Sequence, residues 1–142
     1  MNNLKFQTEI NAPRDRVWNA LWDGDNYREW TKAFGMESHV KGEFKQGTEL
    51  EFLDDKDDGM YARVDTLKPN EEMAICNLGE VKHGKRQPST ETGIERYTLQ
   101  EKDGKTVLQV QVDAPEQYVQ YLQDSFPQAL EGVKKIAEKS PH

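Results

Sequence analysis

The sequence predicts an α+β fold: a curved antiparallel sheet of about seven strands wrapped around one long C-terminal helix, with two short helices after strand one. Three observations carry this. The segment Leu4–Ile10 alternates apolar and polar residues and runs into Asn11-Ala12-Pro13 and a short amphipathic stretch ending near Asp23. From residue 36 to residue 112 the chain is a succession of short alternating segments separated by turn signals. From about Glu116 to Lys139 the apolar residues fall at helical spacing.

Each element has its own local reason. Leu4, Phe6, Thr8 and Ile10 share one face, as in a half-buried strand. Pro13 suits the first position of a helix, where its missing N–H would be unpaired anyway. In the Pro13–Asp23 helix Val17 and Leu21 fall on one face, and Trp18 and Trp22 on the adjacent one. After Gly24, Asp25 can cap a second helix through Phe34, with Tyr27, Trp30 and Phe34 at spacings of three and four. Gly35 ends it.

Met36–Phe44 then reads as a strand, Lys45-Gln46-Gly47 as a turn, and Thr48–Leu53 as a strand with Leu50 and Phe52 on one face. Asp54–Gly59 is a charged hairpin tip: Lys56 stands where a calcium loop needs an oxygen ligand, and strands rather than helices flank it. Met60–Leu67 and Glu72–Leu78 continue the sheet around Lys68-Pro69-Asn70-Glu71. Gly79–Thr92 reads as a long loop of the kind that gates a site. Gly93–Gln100 and Lys105–Val112 form a hairpin around Asp103-Gly104. In the last helix Pro127 predicts a kink, or a restart after Ser125. No repeat or linker divides the chain, so residues 1–142 are read as a single domain.

Composition narrows the function classes. Of 142 residues, 35 % are hydrophobic and 32 % charged, and the apolar ones are periodic, which argues against disorder. The formal net charge of −7 disfavours nucleic acid and anionic lipid, since phosphate contact needs a basic stripe. Lys82–Arg86 is the nearest approach to one and reads as a solvated loop. Cys76 is the sole cysteine, so neither an internal disulfide nor a cysteine metal site is expected. His39, His83 and His142 lack ligand spacing. No cofactor is expected, because no phosphate loop, dinucleotide fingerprint or nucleophile elbow occurs. No apolar run reaches signal-peptide or membrane length, and the expected compartment is the cytoplasm.

A curved sheet must cover its concave face, and the last helix is the element long enough to do so. The wedge between them is a natural place for an apolar cavity. Its expected lining is Phe52, Val64, Met73, Ile75, Tyr97, Leu99 and Val110 from the sheet, Trp30 and Phe34 from the second helix, and Tyr118, Leu122 and Phe126 from the last. Glu95 alternates in step with Tyr97 and Leu99, which places a carboxyl on the buried face, a costly position unless it is paired or neutralised. Asn77, in step with Met73 and Ile75, is expected within reach of it, and the two form candidate polar anchors for a ligand's donor group. Arg63 and Arg96 are the competing structural partners for Glu95.

The order of elements, with NAPRDRVWNAL at 11–21 and Trp30 closing the second helix, resembles the START-like or SRPBCC superfamily and its helix-grip fold. Within it the chain is similar to the branch of the chaperone-ATPase activators (AHSA-like), on GEFKQGTELEF at 42–52, VDTLKPN at 64–70, LGEVKHGK at 78–85, YTLQEKDGKTVL at 97–108 and ALEGVKKIAE at 129–138. The resemblance implies non-covalent binding of a small hydrophobic molecule (lipid, polyketide-like or aromatic) between sheet and helix. It implies, as an alternative, a module that stimulates a chaperone ATPase; a further alternative is a cyclase- or hydrolase-type enzyme, for which the buried-face position of Glu95 makes it the candidate acid or base. No catalytic motif of the enzyme branches matches here residue by residue.

Overall fold

A computed structural model describes residues 2–34 and 39–139, with the backbone alone at residues 90 and 91. Strand β1 (Asn2–Ile10) leads into α1 (Arg14–Trp22), α2 (Gly24–Trp30) and a 3₁₀ turn over Thr31–Phe34. Six strands follow: β2 (His39–Lys41), β3 (Glu49–Leu53), β4 (Gly59–Lys68), β5 (Glu72–Lys82), β6 (Lys85–Lys102) and β7 (Lys105–Ala114). Helix α3 (Glu116–Lys139) ends the described chain. The seven strands form one sheet in the order β1-β7-β6-β5-β4-β3-β2, with every neighbouring pair antiparallel. This is the α+β helix-grip arrangement.

The concave face is covered in two halves. Over β1, β6 and β7, the buried residues Ile10, Leu99, Leu108 and Val110 pack with Phe126, Ala129, Leu130 and Val133 of α3. Phe6 and Phe126 stack with ring centroids 4.8 Å apart. Over β3, β4 and β5, Leu50, Phe52, Ala62, Val64, Met73 and Ile75 form a second cluster, closed by Trp18, Trp22, Tyr27 and Phe44. Trp30 donates its indole N–H to the Leu21 carbonyl at 2.9 Å, which ties α2 to α1. Arg16 donates to the Ala137 carbonyl at 2.8 Å, so a cation from α1 satisfies one of the last backbone acceptors of α3.

Several boundaries differ from expectation. Asp23, rather than Asp25, caps α2: its carboxylate accepts from the Asp25 N–H at 3.2 Å. The helix closes at Trp30 and tightens into the 3₁₀ turn through Phe34. The expected end at Gly35 and the first residues of the Met36–Phe44 strand lie outside the described residues; within them the strand is His39–Lys41. Helix α3 runs unbroken across Pro127, so there is no restart after Ser125.

The largest correction concerns Gly79–Thr92, which is not a loop. Strand β5 continues to Lys82 and β6 begins at Lys85, so the two form a long hairpin arm turning at His83-Gly84. Both turn residues have positive φ, 51° and 78°, the backbone that a tight two-residue hairpin requires. A bulge between Asn77 and Gly79 resets the register, which breaks the alternation that would reveal a strand. The arm is held from outside. Arg86 reaches Glu51 at 2.9 Å, pairs with Glu49 and lies over the Tyr61 ring at 4.7 Å. Its tip docks on the acidic hairpin: the His83 N–H donates to the Asp58 carboxylate at 2.8 Å, and the Gly84 N–H to the Asp57 carbonyl at 3.1 Å.

Candidate functional site

A pocket of about 300 Å³ lies between the start of α3 and the sheet surface of β4, β5 and β6. Its sheet side carries Met60, Ile75, Asn77, Glu95 and Val112, and its helix side Tyr118, Tyr121 and Leu122. The first helical turns hold the two tyrosines outward, each 45 % exposed. Register brings the floor together, with Ile75 on β5 and Val112 on β7 both pairing with Glu95 on β6. A wider and more open groove runs over α1, α2 and the last turns of α3, past Asp15, Arg16, Asn26, Glu29 and Lys135. Its charged walls lack the apolar enclosure that orders a small ligand.

Glu95 is half-buried, yet deep enough that desolvation dominates its titration and lifts its carboxyl to about 7. The Tyr97 hydroxyl, two residues along the same face, donates to it and partly offsets that rise. Burial, and then the neighbouring Glu95 charge, push both Tyr97 and Tyr27 well above the ordinary phenol range, so both stay neutral hydroxyls. Neither arginine considered from the sequence reaches Glu95. Arg96 pairs with Glu72 at 3.3 Å, and Arg63 with Asp65 at 2.6 Å. Asn77 does not bond Glu95 either: its Oδ1 accepts from the Gly79 N–H at 3.1 Å and its Nδ2 lies 3.6 Å from the Met60 sulfur. The amide therefore serves the bulge while it lines the pocket. A carboxyl titrating near neutrality can donate or accept a proton, the minimum chemistry of an acid–base group.

Of the residues expected to line the cavity, Ile75, Asn77, Glu95, Tyr118 and Leu122 meet at the pocket. Trp30, Phe52, Val64, Met73, Tyr97, Leu99, Val110 and Phe126 instead fill the two core clusters, and Phe34 packs half-buried against the first. The Phe34 and Phe126 rings meet edge to face at 5.1 Å. Among the described residues these side chains fill much of the wedge, and the pocket lies near the start of α3. Met60, Val112 and Tyr121 were not among the expected lining. Val112 continues the alternation of Leu108 and Val110, and Tyr121 lies one turn beyond Tyr118, so both carried a usable periodic signal.

Among the described residues no group of three His, Cys, Asp or Glu side chains is placed to hold a metal ion, and no helix is long and apolar enough to cross a membrane.

Comparison with solved structures shows the same fold at low sequence identity. Protein MLL2253 from Mesorhizobium loti is 15 % identical with a TM-score of 0.76, covering 99 % of this chain and all of that one. CV1439 from Chromobacterium violaceum is 18 % identical with a TM-score of 0.76, covering 97 % of this chain and 99 % of that one. CalU16 from Micromonospora echinospora is 17 % identical with a TM-score of 0.69, covering 98 % of this chain and 77 % of that one. Comparison with curated proteins finds no match. The family of Activator of Hsp90 ATPase homolog 1-like proteins matches residues 11–138, from the turn before α1 to the last turn of α3, and the chain belongs to that family.

Proposed function

We propose that this protein binds a small, largely apolar molecule without covalent chemistry, in the pocket between β5, β6 and the start of α3. The observation that carries this reading is the pocket itself. A pocket of about 300 Å³ is at the small end of the range for organic ligands, and its walls combine aliphatic and aromatic surface with few polar groups. Tyrosine and methionine suit such a lining, since they give large contact area and adaptable shape. The fold supports the reading in general terms, because the pocket lies between sheet and helix, beside the two packed clusters. Native mass spectrometry of gently purified protein, with denaturing extraction of whatever co-purifies, tests it. A defined small molecule, or saturable binding of an environment-sensitive dye, is the expected result. An empty protein that also ignores the dye would overturn it.

The family's name supports a second reading, a module that stimulates a chaperone ATPase. Purified chaperone with and without this protein separates the two: a rise in ATP turnover favours the interaction module, and an unchanged rate favours the ligand site.

A further inference from the structure

The ionisable groups of the pocket share one sign. Glu95 lies on its floor, Glu80 and Asp113 at its margins, and among the described residues no lysine, arginine or histidine lines it. The marginal acids are already satisfied. Glu80 sits 3.7 Å from Lys82, and Asp113 accepts from the Asn3 side-chain amide at 2.9 Å and the Ile94 N–H at 3.3 Å. Among the described residues Glu95 pairs with no cation, and the hydroxyl of Tyr97 is its neutral partner. A desolvated carboxylate with one hydroxyl donor is a costly group, and the missing component is a positive charge with N–H donors. The opposite wall supplies the other requirement of a cation site. The Tyr118 and Tyr121 rings stand half-exposed on α3, where an ammonium group can lie over an aromatic face. Met60, Ile75, Val112 and Leu122 offer apolar surface for the remainder of a ligand.

We propose that the pocket selects an organic cation, an amine or ammonium group on an apolar body, with its charge held at Glu95 between the sheet and the tyrosines of α3. This rests on reading the pocket as a ligand site. It excludes fatty acids and other anions, whose carboxylates would meet Glu95 with no compensating charge.

Three probes of matching shape test it by isothermal titration calorimetry: naphthylmethylamine, naphthylmethanol and naphthoic acid. The amine is expected to bind about tenfold more tightly than the alcohol at pH 8, the acid most weakly, and the Glu95→Gln variant to lose the preference while still binding the alcohol. The pH profile of the unaltered protein gives an independent reading. Affinity for the amine should rise about fivefold from pH 6 to pH 8 as Glu95 ionises, because the probe's amine stays largely protonated across that range. Among the described residues the other titratable groups around Glu95 are Tyr97 on β6, Tyr27 from α2, Glu80 from β5, Asp113 from β7, and Tyr118 and Tyr121 from α3. Burial raises Tyr27, Tyr97 and Tyr121 further from that window. Equal affinity for amine and alcohol, or a flat profile, overturns the cation inference and leaves the pocket reading standing. Failure of all three probes to bind overturns both.

Discussion

Glu95 concentrates the chemistry of this molecule in one side chain. Its carboxyl moves from an ordinary 4.5 to about 7 on folding, chiefly because the folded chain strips it of water. The consequence for stability has a definite sign. Between those two values the folded state keeps a proton that the unfolded state releases, so stability falls as pH rises across the window. Below it the group costs nothing, and above it the cost is complete at roughly 3 kcal/mol. Glu95→Gln cannot ionise and should remove that fall. In urea denaturation the variant and the parent are expected to be nearly equal at pH 4.5. At pH 8 the variant should be more stable by an amount approaching that figure. Parallel stability profiles would mean that water reaches the carboxyl and that its burial is only apparent.

Among the elements, the arm formed by β5 and β6 shows where sequence reasoning reaches and where it stops. The strands with clean alternation, such as Leu4–Ile10 and Lys105–Val112, were legible because one face is core and the other solvent. The arm beyond Asn77 has no such contrast. Its outer positions are polar, its register is reset by a bulge, and its buried contacts go to the small cluster of Leu53, Tyr61 and Val81 rather than to the main core. What permits it is a backbone approach that only glycine allows. A Cβ at Gly79 would sit 2.3 Å from the Gln87 carbonyl oxygen and 2.9 Å from the Pro88 Cα. Both are backbone atoms, so the clash is not relieved by rotating a side chain. Gly79→Ala is expected to cost about 2 kcal/mol, seen as a lower urea midpoint. Faster hydrogen exchange should follow across residues 79–88, with little change in β1 or β7. An unchanged exchange pattern would show that the arm bends without loss.

At the scale of the whole molecule the question is what joins two half-cores into one. The presence of an aromatic interior was legible in the spacing of Trp18, Trp22, Tyr27 and Trp30, whereas the division between packed wedge and open pocket was not. That division depends on how far side chains from distant strands interpenetrate, which no local period encodes. Trp22 stands at the junction. It packs against both clusters, and its ring lies 5.0 Å from Tyr97 on one side and 5.9 Å from Phe44 on the other. Its indole N–H is also the buried side-chain donor left without a partner among the described residues. An orphaned donor is a destabilising feature, so the ring must be retained for its bulk rather than its polarity. Two substitutions separate these contributions. Trp22→Phe removes the orphan N–H and keeps most of the contact between the halves, so it should shift stability by no more than about 1 kcal/mol. Trp22→Ala should cost about 3–5 kcal/mol. The sharper readout is the shape of the transition. If Trp22 couples the halves, tyrosine absorbance and far-ultraviolet circular dichroism should report one unfolding curve in the parent and in Trp22→Phe. In Trp22→Ala the two curves should separate, as the β3–β5 half loses its cover before the half under α3 does. Coincident curves in all three proteins would mean that the sheet alone carries the cooperativity, since its seven strands are hydrogen-bonded neighbour to neighbour from β1 to β2.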